Sequence, residues 1–267
     1  MLAVLHNALY LESSGGYVVC LLGPHGEDGP LSIRVSELDA LLAWARDAPG
    51  AVFHADRAGI TFSDGARVNW AGAPVWQPPP VPPPGAPNQL TEAAAVLAAL
   101  LQAQPAVEYH RADARIATHL AAFRIAWMSA NEVAAVGALT GLLGLGPGLT
   151  PSGDDVVAGL MAMLVWRGTT ADEGIAVAPL VAAVRAEALE RTNHISARLL
   201  WHAGDGCLYA PAMALGHALL AGRPDAVPPA AARLLTIGAT SGADMALGLL
   251  TGAGLLGDRE AVPQAHA

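Results

Sequence analysis

Over the first eighty residues the apolar positions come in short alternating runs, the period of half-buried strands. Runs at 4–11, 17–22, 32–35, 51–54, 60–62 and 66–70 predict strands. Ser63-Asp64-Gly65 stands between the last two as a hairpin turn. Ser36 with Asp39 three residues on predicts the start of one helix, whose buried face would be Leu38, Leu41, Leu42 and Ala45. Residues 78–87 then hold seven of the chain's 20 prolines, a composition that excludes helix and ladder strand and predicts an extended polyproline spacer. Beyond it the apolar period lengthens to that of helices. Thr91 would cap a helix running through Gln104. Ile116, Leu120, Phe123 and Trp127 mark the inner face of a second, and Leu180, Val184, Ala188, Arg191, Ile195 and Leu199 that of one long later helix. The expected fold is α+β: a small N-terminal antiparallel sheet or barrel over 1–77, a Pro-rich linker over 78–87, and an all-helical domain over 88–260.

Composition changes this picture in one respect. Hydrophobic residues make up 53% of the 267 positions and the mean hydropathy is +0.40, values that suggest a membrane protein until 57 alanines are counted. The longest apolar runs, 156–166 and 245–257, are eleven and thirteen residues, short of the roughly 20 that span a bilayer. They read as buried core helices. All 14 basic residues are Arg, so chemistry that needs a lysine is excluded: a Walker-type phosphate loop, a pyridoxal Schiff base, a kinase lysine. A net charge of -9 without a basic run argues against nucleic acid and anionic membranes. Residues 1–10 carry neither a basic residue nor a cleavage signal, so a cytoplasmic protein is expected, with Cys20 and Cys207 as reduced core thiols.

The chemistry-bearing stretch is Gly144-Leu145-Gly146-Pro147-Gly148-Leu149-Thr150-Pro151-Ser152-Gly153-Asp154-Asp155, which runs straight into an apolar helix. Glycines and prolines before a helix make a stiff loop whose backbone at Gly146, Gly148 and Gly153 can approach a ligand, beside the partly positive helix start. A second copy lies 89 residues on. Ser152-Gly153-Asp154-Asp155 and Gly159-Leu160 recur as Ser241-Gly242-Ala243-Asp244 and Gly248-Leu249. The pair suggests a pseudo-symmetric site in which Asp155 faces Asp244, lined by Thr150, Ser152, Thr240, Ser241 and Gly242. Ser152 and Ser241 as N-caps, with the aspartates complementing the helix dipoles, is the alternative. A third element, 187–198, would put His194 and Arg198 on one helical face with Glu190 and Arg191: an acid/base group beside a cation able to clamp an anion. A solvated face with Glu187 paired to Arg191 is its alternative. The remaining histidines show no ligand spacing, and 204–207 reads as a tight turn.

The blocks 144–155, 192–196 (Thr192-Asn193-His194-Ile195-Ser196) and 238–245 (Gly238-Ala239-Thr240-Ser241-Gly242-Ala243-Asp244-Met245) resemble, in order, the signatures of a bacterial family of uncharacterised domains that includes a subunit of the oxamate carbamoyltransferase of anaerobic allantoin catabolism. The resemblance spans about residues 90–257. It implies phosphorolysis of oxalurate to oxamate and carbamoyl phosphate, or a related carbamoyl transfer, on a small anionic substrate in a hetero-oligomeric assembly. In that chemistry Asp155, Asp244 and His194 would be the catalytic groups. The amides of 146–153 would serve phosphate and the developing oxyanion, and Arg198 the substrate carboxylate. Asp154, Asp155 and Asp244 would repel a bare phosphate, so either they point away as caps or a divalent cation such as Mg²⁺ lies between. Two other readings stand beside this: a non-catalytic binding or assembly subunit, and a metal-dependent hydrolase using Asp155 and Asp244.

Overall fold

The computed structural model describes residues 1–47, 51–63, 65–102, 114–168 and 175–260, the side chains of 256–260 excepted. The turn residue Asp64 and the helix end at Gln104 lie outside the described residues. The chain divides into two compact units, Met1–Pro78 and Pro79–Ala267.

In the first unit the alternating runs become strands because each has one apolar face to bury. β1 (Ala3–Val4), β2 (Ala8–Glu12), β3 (Val18–Leu22) and β4 (Ser32–Arg34) form one sheet in that order, and β5 (Phe53–Ala55), β6 (Gly59–Phe62) and β7 (Arg67–Asn69) a second. The expected antiparallel sheet or barrel is corrected on two counts: the described residues form two separate sheets, and β3 pairs with β4 in parallel. The Gly- and Pro-bearing stretch 23–30 carries the chain back to the start of β3. Cys20 N–H therefore meets Leu31 O at 2.7 Å, with the two strands running the same way. The second sheet is an antiparallel meander. α1 (Leu38–Asp47) adds Leu38, Leu42 and Ala45 to the core of Leu9, Leu11, Leu21, Ile60 and Phe62, while Leu41 is only partly covered.

The second unit is helical: α2 (Pro87–Gln102), α3 (Ala114–Met128), α4 (Glu132–Thr140), α5 (Ser152–Arg167), α6 (Val177–Arg191), α7 (His194–Ala203), α8 (Ala210–Leu220), α9 (Val227–Leu234) and α10 (Ser241–Glu260). Proline suits a first helical turn, where its missing N–H has no partner to lose, and α2 accordingly opens at Pro87. Thr91 is therefore not a cap; it lies a turn inside, its hydroxyl donating to Pro87 O at 2.9 Å. The single helix expected through 180–199 is also corrected. It breaks at Thr192, which is extended (φ -135°, ψ 179°), and restarts on Asn193, whose side chain accepts Ser196 N–H at 3.1 Å. Glu190 and Arg191 thus stand on a different helix from His194 and Arg198.

α5 is the centre of this unit. Every residue from Ser152 to Leu164 is buried, as an element apolar on all sides requires. Its main neighbour is α10. A Cβ at Gly159 would lie 2.3 Å from Met245 O, and one at Gly248 would lie 2.1 Å from Val156 O. Farther on, Gly252 meets Met163. Contacting positions advance together along both helices, so α5 and α10 run parallel and start at the same end. The contacts of Gly159 and Gly248 are each other's images under the 89-residue repeat.

Candidate functional site at the start of two parallel helices

The loop between α4 and α5 folds through three glycines in the left-handed region, Gly144 (φ 74°), Gly146 (φ 111°) and Gly148 (φ 99°), a conformation that side chains with a Cβ rarely adopt. At Gly144 and Gly146 there is also no room: a Cβ would meet Arg191 O at 2.1 Å and Ser152 N at 2.8 Å. Pro147, Gly148 and Leu149 are exposed. Among the described residues the amides of Gly146, Gly148, Leu149 and Thr150 meet no backbone carbonyl. The N-cap of α5 is Pro151, without a side-chain cap bond, so Ser152 is a buried first-turn residue and the alternative reading of it as an N-cap does not hold. Pro151 O accepts the amides of Asp154 and Asp155 at 2.9 and 3.2 Å; in the second copy Thr240 O accepts Asp244 N–H at 2.9 Å.

The adjacent aspartates go different ways, because successive residues of a helix point about 100° apart. Asp154 turns toward the α6–α7 corner. Its Oδ1 accepts Gly144 N–H at 2.7 Å, and its Oδ2 accepts the hydroxyls of Ser196, at 2.7 Å, and Thr192. Burial raises its carboxyl above the usual range, and the three donors work against that shift. Both oxygens of Asp154, named from the sequence as a tentative metal ligand, are thus engaged by protein donors. Among the described residues no group of three or more His, Cys, Asp and Glu side chains is arranged to hold a metal ion.

Asp155 turns toward α10. It is 3% exposed, and its carboxylate takes hydrogen bonds from the hydroxyls of Ser241 and Thr150, which themselves lie 2.8 Å apart. Among the described residues its buried Oδ2 has no hydrogen-bond partner. Burial first, and the negative charge of Asp244 second, hold its carboxyl well above the usual carboxylate range. Asp244 is fully buried. The Asp244 charge acts on Asp155 across the two helix starts, and Thr150 of one copy touches Ser241 of the other. Gly153 and Gly242 sit equivalently, each where a Cβ would lie 2.0 Å from a carbonyl, that of Leu142 or Leu234.

Two further expected site residues lie on α7. His194 opens α7 as an exposed residue. Arg198 is two positions from Ser196, about 200° round the helix, and so faces away from Asp154. Its guanidinium lies over the Trp201 ring, 5.7 Å from the centroid, beside Arg185, which holds Trp201 O and Asp205. The Glu187–Arg191 pair is formed. Thr192, Asn193 and Ser196 join the site without having been read as site residues from composition or spacing. Asn193 Nδ2 donates to Leu149 O at 2.8 Å, binding the loop tip to the corner. Thr-Asn between two apolar helical periods, followed by Ser three after Asn, was the available signal.

All three motif blocks therefore meet around one loop. Residues 142–253 match the family described as oxamate carbamoyltransferase subunit AllH. The matched segment contains the three blocks from Gly144 onward and ends inside α10, so the resemblance read from those motifs is borne out. The first unit lies outside the AllH match. No curated protein and no solved structure matches the chain. Among the described residues no helix is long and apolar enough to cross a membrane.

Proposed function

We propose that this chain is the subunit of an oxamate carbamoyltransferase assembly that binds the carbamoyl-transfer reactants, at the end where α5 and α10 begin. The observation carrying this reading is the convergence itself: Thr150 on Ser241, Asp155 beside Asp244, and Asp154 on Thr192 and Ser196. Residues about forty and ninety positions apart are drawn onto a loop with three left-handed glycines, more than two helix caps require.

In the phosphorolytic direction an oxygen of phosphate attacks the carbamoyl carbon of oxalurate. A C–O bond forms, the C–N bond to the oxamate nitrogen breaks, and that nitrogen takes up a proton. The site must offer donors to the carbonyl oxygen as it gains charge and to the phosphate. The amides of Gly146, Gly148, Leu149 and Thr150 are the groups of this chain suited to both. Asp155 and Asp244 with the Thr150 and Ser241 hydroxyls form a set of hard oxygen donors of the kind that holds Mg²⁺ together with waters and substrate phosphate. Such an ion would offset the paired negative charge. The substrate carboxylate falls to a group other than Arg198, from this chain or a partner.

The experiment is carbamoyl phosphate formation from oxalurate and phosphate, by the chain alone and with the chains encoded beside it, in wild type and Asp155→Asn. The expected result is phosphate-dependent turnover that Asp155→Asn reduces at least about a hundredfold. Turnover without phosphate would make the chain a hydrolase. An active assembly indifferent to both Asp155→Asn and Asp244→Asn would leave it an assembly subunit only.

A further inference from the structure

We infer that Asp154 is a positioning residue: its carboxylate, with Thr192, Asn193 and Ser196, sets the place of the glycine loop relative to the Asp155–Asp244 pair. The inference rests on the loop being the ligand-bearing element. Asp154 is 1% exposed and receives three donors, one from the glycine loop and two from the α6–α7 corner. Gly144 is the start of the loop, Thr192 the extended residue between α6 and α7, and Ser196 the first turn of α7. Asn193 adds a fourth tie at the other end of the loop, its amide donating to Leu149 O while its own oxygen caps α7. The loop is thereby pinned at both ends to the α6–α7 corner. Gly144 is pressed so close to Arg191 O that there is no slack between them.

The physical consequence follows from adjacency in sequence. Asp154 and Asp155 share one rigid turn of α5, so anything that fixes Asp154 to the loop also fixes the loop's amides against Asp155. Loosening the joint leaves the binding groups in the chain but lowers the fraction of molecules that present them together, and apparent affinity falls by that fraction. A misplacement near 1 Å can cost up to about a hundredfold.

The test compares Thr192→Val, Thr192→Ser, Ser196→Ala and Asn193→Ala, which spare the buried carboxylate that Asp154→Asn would leave facing its donors with an amide. Two readouts are used: the KM for phosphate in the active assembly, and the binding of inorganic phosphate and of oxalurate to the chain alone. The expected result is a KM or Kd raised about ten- to a hundredfold by Thr192→Val and Asn193→Ala. Thr192→Ser, which restores the hydroxyl, should stay near wild type. Lower melting temperatures with wild-type KM and Kd would overturn the inference and leave Asp154 a structural staple. Gly146→Ala separates that failure from a failure of the site reading, because it displaces the loop itself, at φ 111° with a Cβ 2.8 Å from Ser152 N. If Gly146→Ala raises KM and Thr192→Val does not, only the positioning role fails. If neither changes any constant, or if wild type neither turns over nor binds either probe, the loop is not the ligand site and both readings fall.

Discussion

Gly159→Ala probes the contact on which the candidate site depends. The added methyl would lie 2.3 Å from Met245 O and 2.9 Å from Leu249 N, where ordinary contact begins at 3.4 Å. Both are helix backbone atoms and cannot rotate aside, so α5 and α10 must separate by about 1 Å. α5 is buried along its length and has no solvent side into which to move. Forcing an extra carbon into such packing costs about 1–3 kcal/mol, while alanine's preference for helix over glycine returns about 1 kcal/mol. A net loss of up to about 2 kcal/mol corresponds to a fall in Tm of up to about 8 °C for a unit of this size. Gly137→Ala is the control. That glycine is exposed on α4 with nothing within 4 Å of its Cβ, so the same substitution there should raise stability by up to about 1 kcal/mol. Calorimetry of the two variants gives opposite signs if the close approach is real. A Gly159→Ala protein that melts at or above wild type, in step with Gly137→Ala, would refute the parallel α5–α10 contact. The separation should also stretch the 2.8 Å Thr150–Ser241 contact and weaken ligand binding more than Gly137→Ala does.

Three further outcomes follow from the same packing. Because the Asp155 carboxyl titrates well above the usual range, the folded chain holds a proton that the unfolded chain loses above about pH 4, and this group's stabilisation declines as pH rises toward its folded pKa. Asp155→Asn should therefore be at least as stable as wild type at pH 7 and show a flatter stability profile from pH 4 upward; a less stable variant with an unchanged profile would indicate a helix cap. His217 is shifted the other way, downward, by burial and then by Arg223; its ring stands edge-on to Trp166 at 4.8 Å. Its cost appears as pH falls below its ordinary 6.5, where only the unfolded chain takes up the proton. His217→Phe should remove part of the acid-side fall in Tm, and parallel melting curves for the two proteins would count against this. Removing residues 1–78 should leave a soluble fragment with the helical circular dichroism of the second unit, whereas an aggregated, non-helical product would show that the units depend on one another.

Local spacing was enough to place most elements. The change from a two-residue to a helical period at the Pro-rich stretch separates β1–β7 from α2–α10. The twin runs after Ser152 and Ser241 announce two buried helices, and the three blocks carry the resemblance to the AllH family over 142–253. These features depend on residues within a turn or two of each other, and a sequence records them directly. Where local preferences compete, the sequence reads less well. The α6–α7 break falls inside an unbroken apolar period, because Leu180 to Leu199 would suit one helix until the Thr192 hydroxyl finds Asp154 and Asn193 finds Leu149 O. The direction of β4 was likewise set by the loop at 23–30 and not by its own residues.

By itself the sequence determined that two carboxylates would stand at one helix start and a third at its repeat. It also determined that the loop before them would need glycine. Only the tertiary structure decided their roles. Asp154 and Asp155 are chemically identical neighbours, and a helix turns them about 100° apart. Which one becomes a committed joint and which a buried partner of Asp244 depends on whether α7 or α10 packs on that side. Those helices begin about forty and ninety residues downstream. Arg198 faces away from Asp154 for the same reason: a spacing of four promises two side chains a common face, but the packing of α7 chooses what that face meets.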